Sequence, residues 1–219
     1  MTLDKTRSTI ITICGSASAV GKSTLVTRLG ELIPDSVTFF FDAYQETTVY
    51  PPNLYQDLAD GREVDVQLIE SPIFFRDLHA LAHGAEVTDA WNRKLQPAKY
   101  IILEEPFGKN RLGMADLTDF VGCIELPLDT ALARRLLRNL RHDFTHLPLE
   151  ERVQYVEDFL EEYLRGGRIS YLKMFEAVSP DCDILLDGLQ SADEMAKQVI
   201  DKLIALNLLE PAASQQAQL

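Results

Sequence analysis

The residues best placed to do chemistry are Gly21-Lys22-Ser23-Thr24, reached from the apolar run Ile10–Cys14 through Gly15, Ser16, Ala17, Ser18, Ala19 and Val20. A loop in that setting can hold phosphate. Backbone N–H groups converge in front of a helix N-terminus, a lysine reaches the β- and γ-phosphates, and a hydroxyl serves Mg²⁺. Gly21, Lys22 and Ser23 supply these parts. The opening turn departs from the usual pattern, because Ser16 stands where a glycine is common and Gly15 comes one residue earlier. The expectation is a loop one residue longer, with positive φ at Gly15 or Ser16.

A cradle alone does not say where a γ-phosphate goes. The run Val37–Phe41 leads into Asp42 and Tyr44, and Tyr100–Glu104 ends in Glu104-Glu105. At the carboxyl end of a strand, Asp42 can take the proton of an attacking hydroxyl, or it can be a turn aspartate. One of the two glutamates is expected to serve Mg²⁺, directly or through water, with the other a solvated neighbour. Arg134, Arg138 and Arg141 fall at i, i+4 and i+7 on one helical face, with Arg135 beside them. They read either as a solvated face or as a cationic lid that closes on triphosphate and excludes water. His142 and His146 have zinc-like spacing, but no third ligand is near and Pro148 interrupts the helix. Thr47–Asp65, with Pro51, Pro52 and Gly61, reads as a loop lining an acceptor pocket, where Asp57 and Asp65 could bind hydroxyls or simply face water.

Those residues need elements to hold them. Ser8–Cys14, Val37–Phe41, Tyr100–Glu104, Val121–Leu126 and Ile184–Leu186 are short apolar runs, as expected of strands covered on both faces. Between them run amphipathic helices with stripes at Leu25, Val26, Leu29, Leu32 and Ile33, at Leu132, Leu136, Leu137 and Leu140, and at Val156, Phe159, Leu160, Tyr163 and Leu164. The pattern predicts an α/β fold, a doubly wound sheet of about five parallel strands flanked by helices. One domain over 1–219 is expected, with an ordered core over about 8–205, a lid over about 129–167 and frayed ends at 1–7 and 211–219. The net charge of −13 argues against nucleic acid and anionic membranes as partners. No run is long enough to span a bilayer, and the first residues lack a secretory signal, so a cytoplasmic protein is expected. Cys14, Cys123 and Cys182 have no metal-like spacing and read as free thiols, buried where they sit in apolar runs.

Taken together, SASAVGKST, FFFDAYQ, IILEEPF, LPLDTALARRLLRNLR and CDILLDG occur in the order seen in the uridine kinase-like P-loop kinases, which this chain resembles over roughly residues 8 to 205. AVGKST is also similar to the pantothenate kinase branch of that superfamily. The resemblance implies an ATP- and Mg²⁺-dependent kinase acting on a hydroxyl of a small, nucleoside-like molecule, and leaves a homo-oligomer open. It implies that Asp42 activates the acceptor, Tyr44 lies beside it, Glu104 lies near Mg²⁺, and Arg134, Arg135 and Arg138 contact phosphates. The chain departs from the pattern at Ser16-Ala17, where a double glycine is usual, and at Glu105, where glycine is usual. The stretch AEVTDAWNRKLQPAK replaces the segment that bears base contacts in that family. A same-fold kinase for pantothenate or a sugar, or a nucleotide-binding switch without kinase activity, are the alternatives. The switch leaves Asp42 and the arginines without a role.

Overall fold

The computed structural model describes residues 7–60, 62 and 65–211. The expected frayed ends therefore lie mostly outside the described residues, as does Gly61. Strand Thr9–Gly15 (β1) leads through the glycine-serine loop into helix Lys22–Leu32 (α1) and strand Ser36–Phe40 (β2). A 3₁₀ segment, Phe41–Thr47, and a short helix, Leu54–Ala59 (α2), precede helix Pro72–Ala82 (α3). The two-residue strands Val87–Thr88 (β3) and Lys94–Leu95 (β4) form a separate antiparallel hairpin. Then come Tyr100–Glu104 (β5), Met114–Leu117 (α4), Phe120–Glu125 (β6) and the helices Leu128–Arg138 (α5), Leu149–Glu162 (α6) and Arg168–Val178 (α7). Ile184–Asp187 (β7) and Ala192–Ala205 (α8) close the described fold.

Five strands pair in parallel in the order β2-β5-β1-β6-β7. This is the predicted sheet, with each expected strand found within two residues of its reading. Alternate residues of a strand serve opposite faces. Ile11, Ile13, Ile102, Phe120, Ile124 and Leu186 pack under α1 and α8, while Ile10, Phe39, Ile101 and Leu103 meet Phe74, Leu78 and Leu81 of α3. Each such side chain contributes about 1.5–3 kcal/mol on burial, so both layers are needed to fix the sheet. Pro72 opens α3 at the position where its missing N–H costs nothing, and Ser191 with Glu194 forms a reciprocal cap at the start of α8.

The helical stripes hold unevenly. In the first, Leu25, Val26, Leu29 and Ile33 are buried but Leu32 is exposed. In α5 only Ala131 is fully buried, and Leu137 is exposed. Leu164, placed on the third stripe, is 80% exposed. The reason is architectural: α6 buries no residue, and α7 reaches the sheet through Val178, Met174 and Phe175, so the stripes of α5 and α6 are only partly covered. π-helical turns at Asn139–Asp143 and Tyr163–Gly167 lie along this α5–α7 arm. The segment read as a loop between Thr47 and Asp65 contains α2, which buries Leu54 and packs against α7. Among the described residues, no helix is long and apolar enough to cross a membrane.

Candidate active site

Parallel strands deliver their C-terminal residues to one edge. Register places Glu104 of β5 between Ile13 of β1 and Phe40 of β2. The loop after β1 and the turn after β2 therefore flank Glu104, and that juxtaposition builds the site.

The loop's positive-φ residues are Ala19 (φ 64) and Gly21 (φ 109). Neither Gly15 nor Ser16 is among them, which corrects the expectation of a strained opening. Gly15 is required for a different reason. A Cβ on it would lie 2.6 Å from Val20 Cγ2 and 3.1 Å from the Ile124 carbonyl oxygen. Ser16 ties the loop to β6: its N–H donates to Ile124 O at 2.9 Å, and its hydroxyl accepts from Leu126 N at 3.2 Å. Gly21 ends the loop without a side-chain cap on α1, which leaves the first-turn N–H groups of Lys22, Ser23 and Thr24 pointing out of the helix. Ser18 and Ala19 are half-buried and Val20 is buried beneath them. Lys22 Nζ donates to Ala17 O at 3.0 Å and so lies across the loop mouth.

Ser23 Oγ donates to Glu104 Oε1 at 3.1 Å, while Glu104 Oε2 is buried with no hydrogen-bond partner among the described residues. Burial pushes the Glu104 carboxyl above the usual carboxylate range; Lys22 draws it back and Asp42 raises it further. A buried carboxylate oxygen without a donor, beside a hydroxyl, is a donor set suited to a hard oxygen-seeking cation such as Mg²⁺. Asp42 is exposed in the 3₁₀ segment, where it accepts from Gln45 Nε2 at 3.0 Å. Ser23, Lys22, Glu104 and Asp42 are thus brought together.

Other expected site residues lie elsewhere. Tyr44 is fully buried, stacked on Phe39 at 5.3 Å, and its hydroxyl donates to Asp77 at 3.1 Å, so it belongs to the core rather than to an acceptor surface. Desolvation raises its phenol far above the usual range. Asp57 pairs with Arg62 at 2.8 Å and Asp65 accepts from Gln67 N at 2.9 Å, so both have local structural partners. Glu105 is not a solvated neighbour: it is wholly buried and receives Arg111 Nη2 at 2.6 Å and Phe107 N at 3.1 Å. Arg111 is boxed by Phe41, Phe74 and Phe75, with ring centres 4.9, 4.9 and 5.0 Å from its Cζ.

The arginine face also differs from its reading. Arg134 donates to Gly188 O at 3.0 Å, Arg138 meets Asp143 at 3.3 Å, and Arg141 is exposed beyond the end of α5. Arg135 is the one that shares a cleft with Ala17 and Ser18 of the loop. It rests 4.4 Å from the Phe159 ring centre and donates to the Tyr171 hydroxyl at 3.2 Å. A cavity of ≈ 550 Å³ opens from Arg135 toward α2, lined by Asn53, Gln56, Tyr155, Tyr163 and Ser170 among others. Sequence reading missed Arg111, and it named the segment Thr47–Asp65 but not Asn53 and Gln56 within it. Arg111 carries no local signal, and only the proline-rich segment before α2 pointed toward that cavity.

A five-stranded parallel sheet in this order, with the glycine-serine loop after its central strand, is the P-loop kinase-like fold. The solved structure of a candidate fructose transport system kinase from Silicibacter sp. TM1040 matches it with a TM-score of 0.52, covering 84% of this chain and 92% of that one at 17% identity. A candidate uridine kinase from Bacillus stearothermophilus gives 0.44, covering 85% and 92% at 15% identity. A sugar kinase from Janibacter sp. HTCC2649 gives 0.46, covering 93% and 99% at 15% identity. At 17% identity the first of these shows a likeness of fold alone. No protein-family model matches the chain, and no curated protein sequence does either.

Proposed function

We propose that this chain is an ATP- and Mg²⁺-dependent kinase that transfers the γ-phosphoryl group to a hydroxyl of a small molecule, nucleoside-like in the first reading. The observation that carries the proposal is the meeting of Ser23, the unpartnered Glu104 oxygen and Asp42 at the mouth of a phosphate-type loop. Backbone N–H groups from Ser18 to Thr24 and the Lys22 ammonium bind the triphosphate. Gly15 and Ser16 hold the loop on β6. Ser23 and Glu104 would hold Mg²⁺, which neutralises phosphate charge when bound. Asp42 orients the acceptor hydroxyl and takes its proton as the oxygen bonds to phosphorus and the bond to the β-phosphate oxygen breaks. Arg135 reaches the phosphates from α5, with Arg134, Arg138 and Arg141 along the arm beyond it, and the cavity between the arm and α2 receives the acceptor. The resemblance to uridine kinases favours a nucleoside. The fold shared with the Silicibacter protein, described as a fructose transport system kinase, makes a sugar the second reading.

A panel of nucleosides, sugars and vitamins tested for stimulated ATP consumption decides both points. Stimulation by one class is expected. Absence of stimulation by every member, with ATP still bound, would leave a nucleotide-binding switch. In the active reaction, Asp42→Asn should lower acceptor phosphorylation about a hundredfold or more with little change in ATP affinity, and Lys22→Ala should abolish transfer with the fold retained.

A further inference from the structure

Cys14, near the end of β1, and Cys123 of β6 are register partners on adjacent strands, so their side chains leave the sheet on the same face. Cys182 stands just before β7, the next strand, and its sulfur lies 3.9 Å from that of Cys14. All three Sγ atoms lie within 4.8 Å of one another. Three residues far apart in the sequence are therefore gathered by three neighbouring strands. Packing alone asks for no such triangle, since a buried cysteine needs only apolar neighbours, and a disulfide would use two sulfurs and leave one.

The surroundings suit a ligand that bonds to sulfur. Val121 and Val178 are buried against the thiols, with Met174 and Phe175 of α7 packed over them. Gly108, at φ +56°, lets the turn after β5 come close: a Cβ there would lie 2.9 Å from Val178 Cγ1 and 3.7 Å from Cys14 Sγ. Cys14 and Cys123 are buried, whereas Cys182 is partly exposed and gives a way in. We propose that Cys14, Cys123 and Cys182 form a three-thiolate site for a soft metal ion, Zn²⁺ or Cu⁺. With metal–sulfur bonds of about 2.3 Å, a trigonal site sets its sulfurs about 4.0 Å apart. Cys14 and Cys182 already stand at that spacing, and with all three sulfurs within 4.8 Å of one another, no pair need close by more than about 0.8 Å. Thiolates select such ions over hard ones such as Mg²⁺. On binding, three S–H bonds give way to three metal–sulfur bonds and three protons leave to solvent. The site lies behind the phosphate loop, one residue from Gly15, and shares no ligand with Ser23 or Glu104.

The test uses the full chain, prepared metal-free under reductant and titrated with Zn²⁺, with Cu⁺ under anaerobic conditions, and with Mg²⁺. One Zn²⁺ or Cu⁺ per chain is expected, with Kd below about 1 μM, proton release, and protection of all three thiols from a thiol reagent. Mg²⁺ should not compete. X-ray absorption at the bound metal should show sulfur neighbours. Cys182→Ser, at the partly exposed position, should weaken binding about a hundredfold or more while the circular dichroism of the fold is kept. Should that variant fail to fold, thiol protection and absorption in the unaltered chain decide alone. Lack of saturable binding by either ion, binding that leaves the thiols reactive, a shell of oxygen and nitrogen, or unchanged affinity in folded Cys182→Ser would each overturn the site.

Discussion

Gly15 and Ser16 show how little room the phosphate-type loop has. A methyl group at Gly15 runs into Val20 and the Ile124 carbonyl, and neither can move without disturbing the loop or β6. Gly15→Ala should therefore cost about 1–3 kcal/mol of stability in denaturant unfolding, the usual range for overpacking. Ser16 behaves differently. Its hydroxyl satisfies Leu126 N in a buried setting, so Ser16→Gly, although it restores the glycine usual in the resembled family, should lower stability by about 0.5–1.5 kcal/mol. A loss of stability in Ser16→Gly and a greater one in Gly15→Ala would confirm that close approach, and not backbone strain, selects the residues here. The sequence displayed Lys22, Ser23, Asp42 and Glu104 because each stands at a fixed distance from a strand end. It could not display the conformation of Gly15, which depends on Val20 and Ile124 packed above it, nor the burial of Tyr44, which depends on α3.

At the level of elements, β1, β2, β5, β6 and β7 were legible because covered strands are short runs of apolar residues. The hairpin β3–β4 was not, since two residues per strand carry no periodicity. Helix α5 was legible as a helix, but the direction of its arginines was not. Ion pairs such as Arg138–Asp143, whose partners are exposed, contribute little, while Arg135 lies by the loop against Phe159 and Tyr171. Under the proposed kinase activity, Arg135→Gln should reduce turnover about tenfold or more, and Arg138→Gln should stay within about twofold. Steady-state rates of the two variants give the comparison, and equal losses would return the lid to the reading made from helical spacing. A second element-scale test concerns Glu105 and Arg111. Removing one member of a wholly buried ion pair leaves the other uncompensated, so Arg111→Met should destabilise the chain by about 3–5 kcal/mol in equilibrium unfolding. Replacing both with apolar residues should recover much of that loss.

Over the whole molecule, the sheet order follows from strands that alternate with helices, whereas the features that join distant segments do not. Arg111 under the site, the cavity between α2 and the helical arm, and the three thiols each bring together residues whose spacing in the chain has no regularity. The outer side of α6 adds a consequence of another kind. Glu150, Glu151, Glu157, Asp158 and Glu161 are all exposed, on a chain whose net charge is already −13. Under the proposed kinase activity, a nucleotide arriving as an anion is repelled by this field and attracted by Lys22 and Arg135. Raising ionic strength from about 0.01 M to 0.15 M shortens the screening length from about 30 Å to about 8 Å, which hides the distant carboxylates more than the contacts inside the loop. Stopped-flow capture of a fluorescent nucleotide should therefore become faster as salt is added, the reverse of what a cationic binding face would give. Slower capture with added salt would mean that the local cations govern the approach from the start.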